Sequence, residues 1–439
     1  MTSPQTVNAL KERPPGFRTG WITYGRLRWG IVGLLFLATA INYIDRQTLS
    51  VLSPVLRKEL GLSEADYSNI VSAFLLSYLV MYTVSGRLID RFGARFGATA
   101  CVLWWSLATM LTAVAKGPFS LGAFRFLLGI GEPGVFPAGL KVCGEWFPRR
   151  MRALATGIFS SGVSIGAIVA TPLVAWLALT WGWRAAFMAP GLVGLLWVPL
   201  WLWIYRSPEK HPALTQEERA MLAEEAPVGE CPPWKSLLRQ RKVWGLVLPR
   251  FASDPVWYFY LFWLPDYFQR IRHLSLSEIA IYGWVPFLFA DLGNVAGGAI
   301  SDGLIRRGWS TPRARFAVLA MVGVLAPFGA LVGTIQSTAG AIAITCLITF
   351  LCQAWSTNIA TLAADLSDRS ETGTVMGMMG TAGGLGGMLF AQMLGFTITA
   401  FGYSSAFCLA AILHPLAAFS LLLLLRPWLG KAAHQRAES

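Results

Sequence analysis

Long apolar runs separated by short polar breaks recur from one end of the chain to the other. A helix rises about 1.5 Å per residue, so roughly 20 apolar residues cross the hydrocarbon core of a bilayer. On that measure spans are predicted near 29–50, 66–86, 96–115, 119–144, 153–178 and 186–205. Six more are predicted near 243–268, 279–300, 314–334, 338–364, 373–399 and 403–427. The implied fold is an all-α membrane protein of twelve transmembrane helices. Between the sixth and seventh spans lies the one long polar stretch, rich in Pro and mixed charge, with a short helix expected near 215–225. The chain therefore divides into a six-helix bundle with its tail over 1–206, a cytoplasmic linker over 207–241, and a second six-helix bundle with its tail over 242–439.

Charge gives this pattern an orientation. Of 36 Lys and Arg, only Arg57, Lys58, Lys116, Arg184, Arg270 and Arg272 fall in the loops of one side. Most of the others flank the opposite ends of the spans, which by the positive-inside rule places both termini in the cytoplasm. The residues before the first span are polar and basic, without the short apolar core of a signal peptide. A multi-pass protein of a bacterial-type plasma (inner) membrane is expected. The net charge of +13 then reflects basic loops facing anionic lipid and cytoplasm, and no nucleic-acid partner is implied. Composition agrees, with 55% hydrophobic and 13% charged residues, where soluble chains carry about 25% charged.

Enzymatic chemistry finds no foothold. The six Cys form no CxxC pair and the four His are scattered, so neither a disulfide framework nor a metal site is indicated. Gly129-Ile130-Gly131-Glu132-Pro133-Gly134 matches GxGxxG, but it lies inside an apolar helix with no strand before it, so it is not a dinucleotide fingerprint. Its glycines and proline predict close helix packing or a bend. The pairs Gly162/Gly166 and Gly380/Gly384 read the same way. No catalytic residue, metal or cofactor is assigned.

The two halves repeat each other. After the second span comes Gly86-Arg87-Leu88-Ile89-Asp90-Arg91-Phe92-Gly93-Ala94-Arg95, and after the eighth Gly298-Ala299-Ile300-Ser301-Asp302, then Arg306 and Arg307. Both carry Gly-x3-Asp at the equivalent loop, and Ala153-x3-Gly157 is echoed by Gly373-x3-Gly377. Matched halves are the mark of a duplicated transporter. The first of these loops closely resembles the signature of the major facilitator superfamily, and the likeness covers all but the tails and the linker. That resemblance implies two pseudo-symmetric six-helix bundles. It also implies a conformational latch at Gly86, Asp90, Arg91 and Asp302, with Asp90 against Thr372 and Gly373 at a helix N-terminus, and Asp302 against Ala153. The alternative is that the Arg-rich loops only set topology.

A charge inside a span costs at least about 2.5–3.5 kcal/mol on insertion scales, so it defaults to function. Asn42, Asp45 and Arg46 share one face of the first span, and Arg125 and Glu132 share a face of the fourth, two turns apart. Several segments resemble the anion:cation symporters within that superfamily: Asn42-Tyr43-Ile44-Asp45-Arg46, Gly131-Glu132, and Phe136-Pro137. The run Asp254 to Pro265 and the segment Gln353-Ala354-Trp355-Ser356-Thr357-Asn358 look like those of hexuronate transporters. The resemblance implies that Arg46 takes a substrate carboxylate, with Tyr43 and Tyr78 hydrogen-bonding beside it. Asp45 and Glu132 become proton sites, Arg125 partners Glu132 and contributes to substrate binding, and Trp355 and Asn358 offer a stacking face and a hydroxyl partner. Val163 stands where aldonate-carrying relatives have Gln, which favours a cyclic uronate. The expected function is a proton-coupled symporter, acting as a monomer in lipid, that imports a small organic anion, a hexuronate first. A proton-coupled multidrug exporter and an importer of an aldonate, dicarboxylate or aromatic acid are the alternatives. Arg250, Asp254 and Asp291 stand open between structure and substrate.

Overall fold

The computed structural model describes residues 24–147, 149–212, 214–224, 234–367 and 371–429. The first half contains α1 (Tyr24–Leu60), α2 (64–92), α3 (94–112), α4 (Pro118–Trp146), α5 (Arg149–Trp181) and α6 (Trp183–Ile204). The second contains α7 (Arg241–Arg270), α8 (Leu276–Arg306), α9 (Thr311–Gly333), α10 (Thr338–Leu366), α11 (372–401) and α12 (403–429). The predicted spans thus reappear as helices in the predicted order. Short helices at Gln216–Glu224 and Trp234–Leu238 lie between the halves.

Three helix boundaries among the described residues are made by single glycines. Gly93 (φ 83°) separates α2 from α3, Gly182 (φ 85°) separates α5 from α6, and Gly402 (φ 75°) separates α11 from α12. A positive φ is strained for any residue with a Cβ, so these turns need glycine. By length and apolar composition eight helical stretches among the described residues qualify as spans, the last running across the Gly402 break. The helices outside that set are α2, α3 and α7, which have membrane length but more polar or aromatic sequences, α7 carrying Arg250 and Asp254. Large apolar side chains such as Trp203, Val295, Val324 and Phe396 point outward, as a lipid-covered surface requires.

Helix starts are locally encoded. Ser63 and Asp66 form a reciprocal capping box at the start of α2, Asp66 N–H donating to Ser63 Oγ at 3.1 Å and Ser63 N–H to Asp66 Oδ2 at 2.9 Å. Ser275 and Glu278 do the same for α8. Such caps satisfy donors that the helix leaves free.

Within each half, helices pack through small residues. A Cβ at Gly166 on α5 would lie 2.9 Å from Ala40 Cα on α1, and Ala354 Cα on α10 would meet one at Gly297 of α8 at 2.6 Å. The halves meet along α1 with α7, α2 with α11, and α5 with α8. On α11 the expected close-packing pair faces α2: a Cβ at Gly380 would lie 2.9 Å from the Tyr82 ring, and one at Gly384 would touch Leu79 at 3.0 Å. Gly383, on another face, lies against Asp254 of α7, whose Cγ would be 2.8 Å from a Cβ there.

One end of this interface is clasped by charge. Arg57 of α1 pairs with Asp266 of α7 at 3.1 Å and with Glu64 of α2 at 2.9 Å. Arg270 of α7 pairs with Asp266 at 3.2 Å and also with Glu64. Tyr403 donates to Asp266 at 2.5 Å, and Ser50 and Tyr67 donate to the carbonyls of Leu261 and Phe262 at 2.7 and 2.6 Å. At the opposite end Asp302 pairs with Arg315 of α9 in its own half at 2.7 Å. Lys141 of α4 reaches the Ile89 carbonyl beside the repeated loop at 3.3 Å. Arg91 lies beside the Phe92 ring at 5.4 Å. The side chains of Asp90 and Ala153 lie outside the described residues, and with them the two expected latch contacts.

Candidate functional site

A cavity of about 280 Å³ lies between the halves. From the first half, Asn42, Tyr43 and Arg46 of α1, Tyr78 and Tyr82 of α2, and Glu132 of α4 line it. From the second half come Arg250, Asp254 and Tyr258 of α7, Trp355 and Ser356 of α10, and His414 of α12. Val163 of α5 also lines it.

The first-half wall is built around Arg46. Residues 42, 43 and 46 fall on adjoining parts of one helix face, and that face turns to the cavity. The Arg46 guanidinium is 4.8 Å from the Tyr43 ring centre and 4.6 Å from that of Tyr78. Its Nη2 and Nε donate to Glu132 Oε2 at 2.6 and 3.0 Å. Both side chains are nearly excluded from solvent, at 5% and 0% exposure, so removing either leaves the other as an uncompensated buried charge.

The expected direct pairing of Arg125 with Glu132 is therefore replaced by Arg46 with Glu132. Residues 125 to 132 are α-helical, Glu132 N–H donating to the Leu128 carbonyl, so the two side chains stay two turns apart and Arg46 of α1 reaches Glu132 instead. A tighter 3-10 turn follows at Glu132–Gly134 before α4 resumes at Val135. Arg125 instead donates to the Asp45 backbone carbonyl at 3.2 Å and stands over Phe187, 5.4 Å from its ring centre. Asp45 faces away from the cavity, fully buried, with Thr109 and Arg125 as its polar neighbours. Arg46 and Glu132 are thus the cavity charges of the first half, and Arg125 and Asp45 are a layer behind them.

The second-half wall carries its own ion pair. Arg250 Nε meets Asp254 Oδ2 at 2.8 Å, one helical turn along α7, and Arg250 Nη1 donates to Ser356 Oγ at 3.0 Å. Asp291 is separate: it accepts from Ser164 of α5 across the seam between the halves and does not line the cavity. Trp355 lines the cavity as expected. Asn358, one turn farther along α10, is buried away from it and donates to the Ala354 carbonyl at 2.9 Å.

Sequence reasoning named Tyr43, Arg46, Tyr78, Glu132 and Trp355, all of which line the cavity. It did not single out Asn42 as a ligand, nor Tyr82, Ser253, Gln353 or His414, which also line it. An unbroken apolar run around His414 was the available signal, since a lone imidazole inside a span needs a reason.

Residues 35–391 match the family model of the Major Facilitator Superfamily. The hexuronate transporter of Escherichia coli (strain K12) is 33% identical over 88% of this chain and 91% of its own length. A galacturonate transporter of Dickeya chrysanthemi is 35% identical over 62% of this chain and 81% of its own. Among solved structures, a bacterial homologue of the human lysosomal transporter Spinster, inward-facing and unoccupied, superposes with a TM-score of 0.75. It covers 92% of this chain and 98% of its own at 20% identity, a likeness of fold.

Proposed function

The chain belongs to the Major Facilitator Superfamily and is a transporter rather than an enzyme, and from that premise we propose that it imports a hexuronate together with protons. The observation that carries the reading is Arg46: a guanidinium on the wall of a cavity between two helical bundles, framed by Tyr43 and Tyr78. A guanidinium matches a carboxylate with two parallel hydrogen bonds, and tyrosine hydroxyls suit the ring oxygens of a sugar acid. The relatives named for hexuronate and galacturonate support the same solute class.

The ion pair supplies the coupling. Glu132 holds Arg46. A proton on Glu132 removes its charge and frees Arg46 for the substrate carboxylate. The site then carries its anion neutralised, and the bundles can rock about it. Asp45, buried behind the pair, is the second proton site, and Arg125 beside it keeps the local field positive. On leaving the proton, Glu132 reclaims Arg46 and expels the acid. Without that exchange, a buried charge would stand unpaired at every cycle.

Purified protein in proteoliposomes tests this directly. An inward proton gradient is expected to drive accumulation of labelled D-glucuronate, and Glu132→Gln to bind glucuronate but lose gradient-driven accumulation. Full accumulation by Glu132→Gln would remove the assignment of coupling to Glu132; no glucuronate uptake by the unaltered protein would remove the substrate.

A further inference from the structure

Both cavity walls leave polar atoms unsatisfied. On the first-half wall Arg46 is engaged by Glu132 Oε2 through both Nε and Nη2, which leaves Glu132 Oε1 unbonded. On the opposite wall, Ser253 Oγ, Trp355 Nε1 and His414 Nδ1 are all buried without a hydrogen-bond partner. These residues come from α7, α10 and α12, and all three line the cavity. Their relative exposures are 3%, 1% and 1%, so bulk solvent does not satisfy them. Buried polar groups in folded proteins are normally bonded, and an orphan asks for an explanation.

His414 is the most constrained of the three. Its ring stands edge-on to Trp355, with centres 5.3 Å apart and planes at 88°. Behind it lies a small void bounded by Val256, Tyr260, Ile348 and Ala410, with no room for a water. A partner for the ring must therefore come from the cavity side. A serine hydroxyl rotates to meet whatever is offered, whereas a clamped imidazole holds Nδ1 in one fixed direction. Selectivity among stereoisomers needs a fixed polar group that a wrongly placed hydroxyl leaves unpaired.

We propose that His414, clamped on Trp355, reads the hydroxyl configuration of the bound sugar acid and so sets the preference between epimers. This rests on the hexuronate reading above: with the carboxylate held at Arg46, the far side of the ring meets the α10 and α12 wall. Trp355 offers an apolar face to the C–H side of the sugar, and Ser253 adds an adaptable contact. His414 contributes nothing to carboxylate recognition.

The test uses full-length protein with D-glucuronate and D-galacturonate, which differ only at the C4 hydroxyl. Affinity for each is measured by calorimetry, and their ratio is compared between wild type, His414→Phe and His414→Asn. Phe keeps a ring on Trp355 without a hydrogen-bonding atom, and Asn keeps such an atom near the Nδ1 position. His414→Phe is expected to change the epimer ratio by about tenfold, in the range that a lost hydroxyl contact produces, and His414→Asn to restore part of it. A melting temperature near that of wild type shows that Phe is folded; if it is not, His414→Leu takes its place, and an unchanged epimer ratio there counts against the proposal. Equal weakening of both epimers overturns it and leaves the hexuronate reading intact. Binding of neither epimer by wild type removes both.

Discussion

Arg46 and Glu132 both belong to the first six helices, whereas Arg57, Glu64, Asp266 and Arg270 reach from the first six to the last six. The first pair can persist while the bundles rock, because its members move together. The second group must come apart whenever its end of the interface opens. One cluster of charge is therefore suited to hold and release a solute, and the other to hold and release a conformation. Burial divides the clasp itself: Asp266 is as buried as Glu132, at 0% exposure, whereas Arg270 is 44% exposed. Water can therefore replace Arg270 on the clasp, while Arg46 and Glu132 need an exchange partner.

The largest expected effect breaks the first cluster. Arg46→Ala should weaken hexuronate binding at least about 100-fold, the loss of a bidentate charge-assisted contact. It should also destabilise the empty protein by about 3–5 kcal/mol, because Glu132 is left buried and unpaired. Calorimetry and thermal melting read the two effects. Arg46→Ala/Glu132→Gln should recover the stability without the binding; a double variant as unstable as the single one would contradict the account.

Breaking the second cluster should do the reverse. Arg57→Ala should leave binding in detergent within a few-fold of wild type but favour opening of that end by about tenfold, as expected for a lost charged hydrogen bond. A cysteine placed at Ser50, whose hydroxyl bonds the Leu261 carbonyl, should then react faster with a water-soluble maleimide. An unchanged labelling rate would show that the clasp does not control opening.

Asp254→Asn separates the cavity's second ion pair from both. Arg250 keeps its bond to Ser356, so the expected loss is about three- to tenfold in affinity, the same for glucuronate and galacturonate. A changed epimer ratio here would move stereochemical reading from His414 to α7.

The smallest effect lies outside the membrane. His211 packs edge-on to Trp146, and one ring nitrogen meets the Ile204 carbonyl at 3.2 Å. Burial first, and then Arg206 and Arg219, hold its pKa below the ordinary histidine value. The folded chain thus binds this proton less readily than the unfolded one. Stability is expected to fall as pH drops through about 6.5 and to level off below the folded value. The linker's first turn should become more open to proteolysis at pH 5.5 than at 7.5, and His211→Gln should flatten that dependence.

The architecture was legible because hydropathy and the Lys/Arg asymmetry report on the bilayer, an external constraint that acts on every span alike. Even α7, aromatic and interrupted by Arg250 and Asp254, could be read from its length and flanks. The cavity was half legible, since Asp45, Arg46, Arg125 and Glu132 stand out against apolar surroundings. Their partners were not, because which side chain of α1 reaches Glu132 depends on how α1 packs against α4, and spacing along one helix does not report that. Gly131, Pro133 and Gly134 signalled a bend but not its direction. Ser253, Gln353 and Tyr82 were invisible for a different reason: neutral side chains cost little in a span, so their presence announces nothing.

The α11 helix carries no charged residue between Gly373 and Phe401, yet its bare backbone at Gly380 faces Tyr82 of one bundle and at Gly383 faces Asp254 of the other. Its tolerance to substitution should accordingly run against chemical intuition. In a saturation scan scored by growth on a uronate, alanine at Gly383 should be rejected more firmly than Asp254→Asn, since one methyl there displaces the whole Asp254 side chain and with it the packing of α7 on α11. Surface arginines should vary freely by contrast. The segment with the least chemistry would thus be among the least replaceable, and a record of permitted substitutions would trace the cavity by the residues that must remain small.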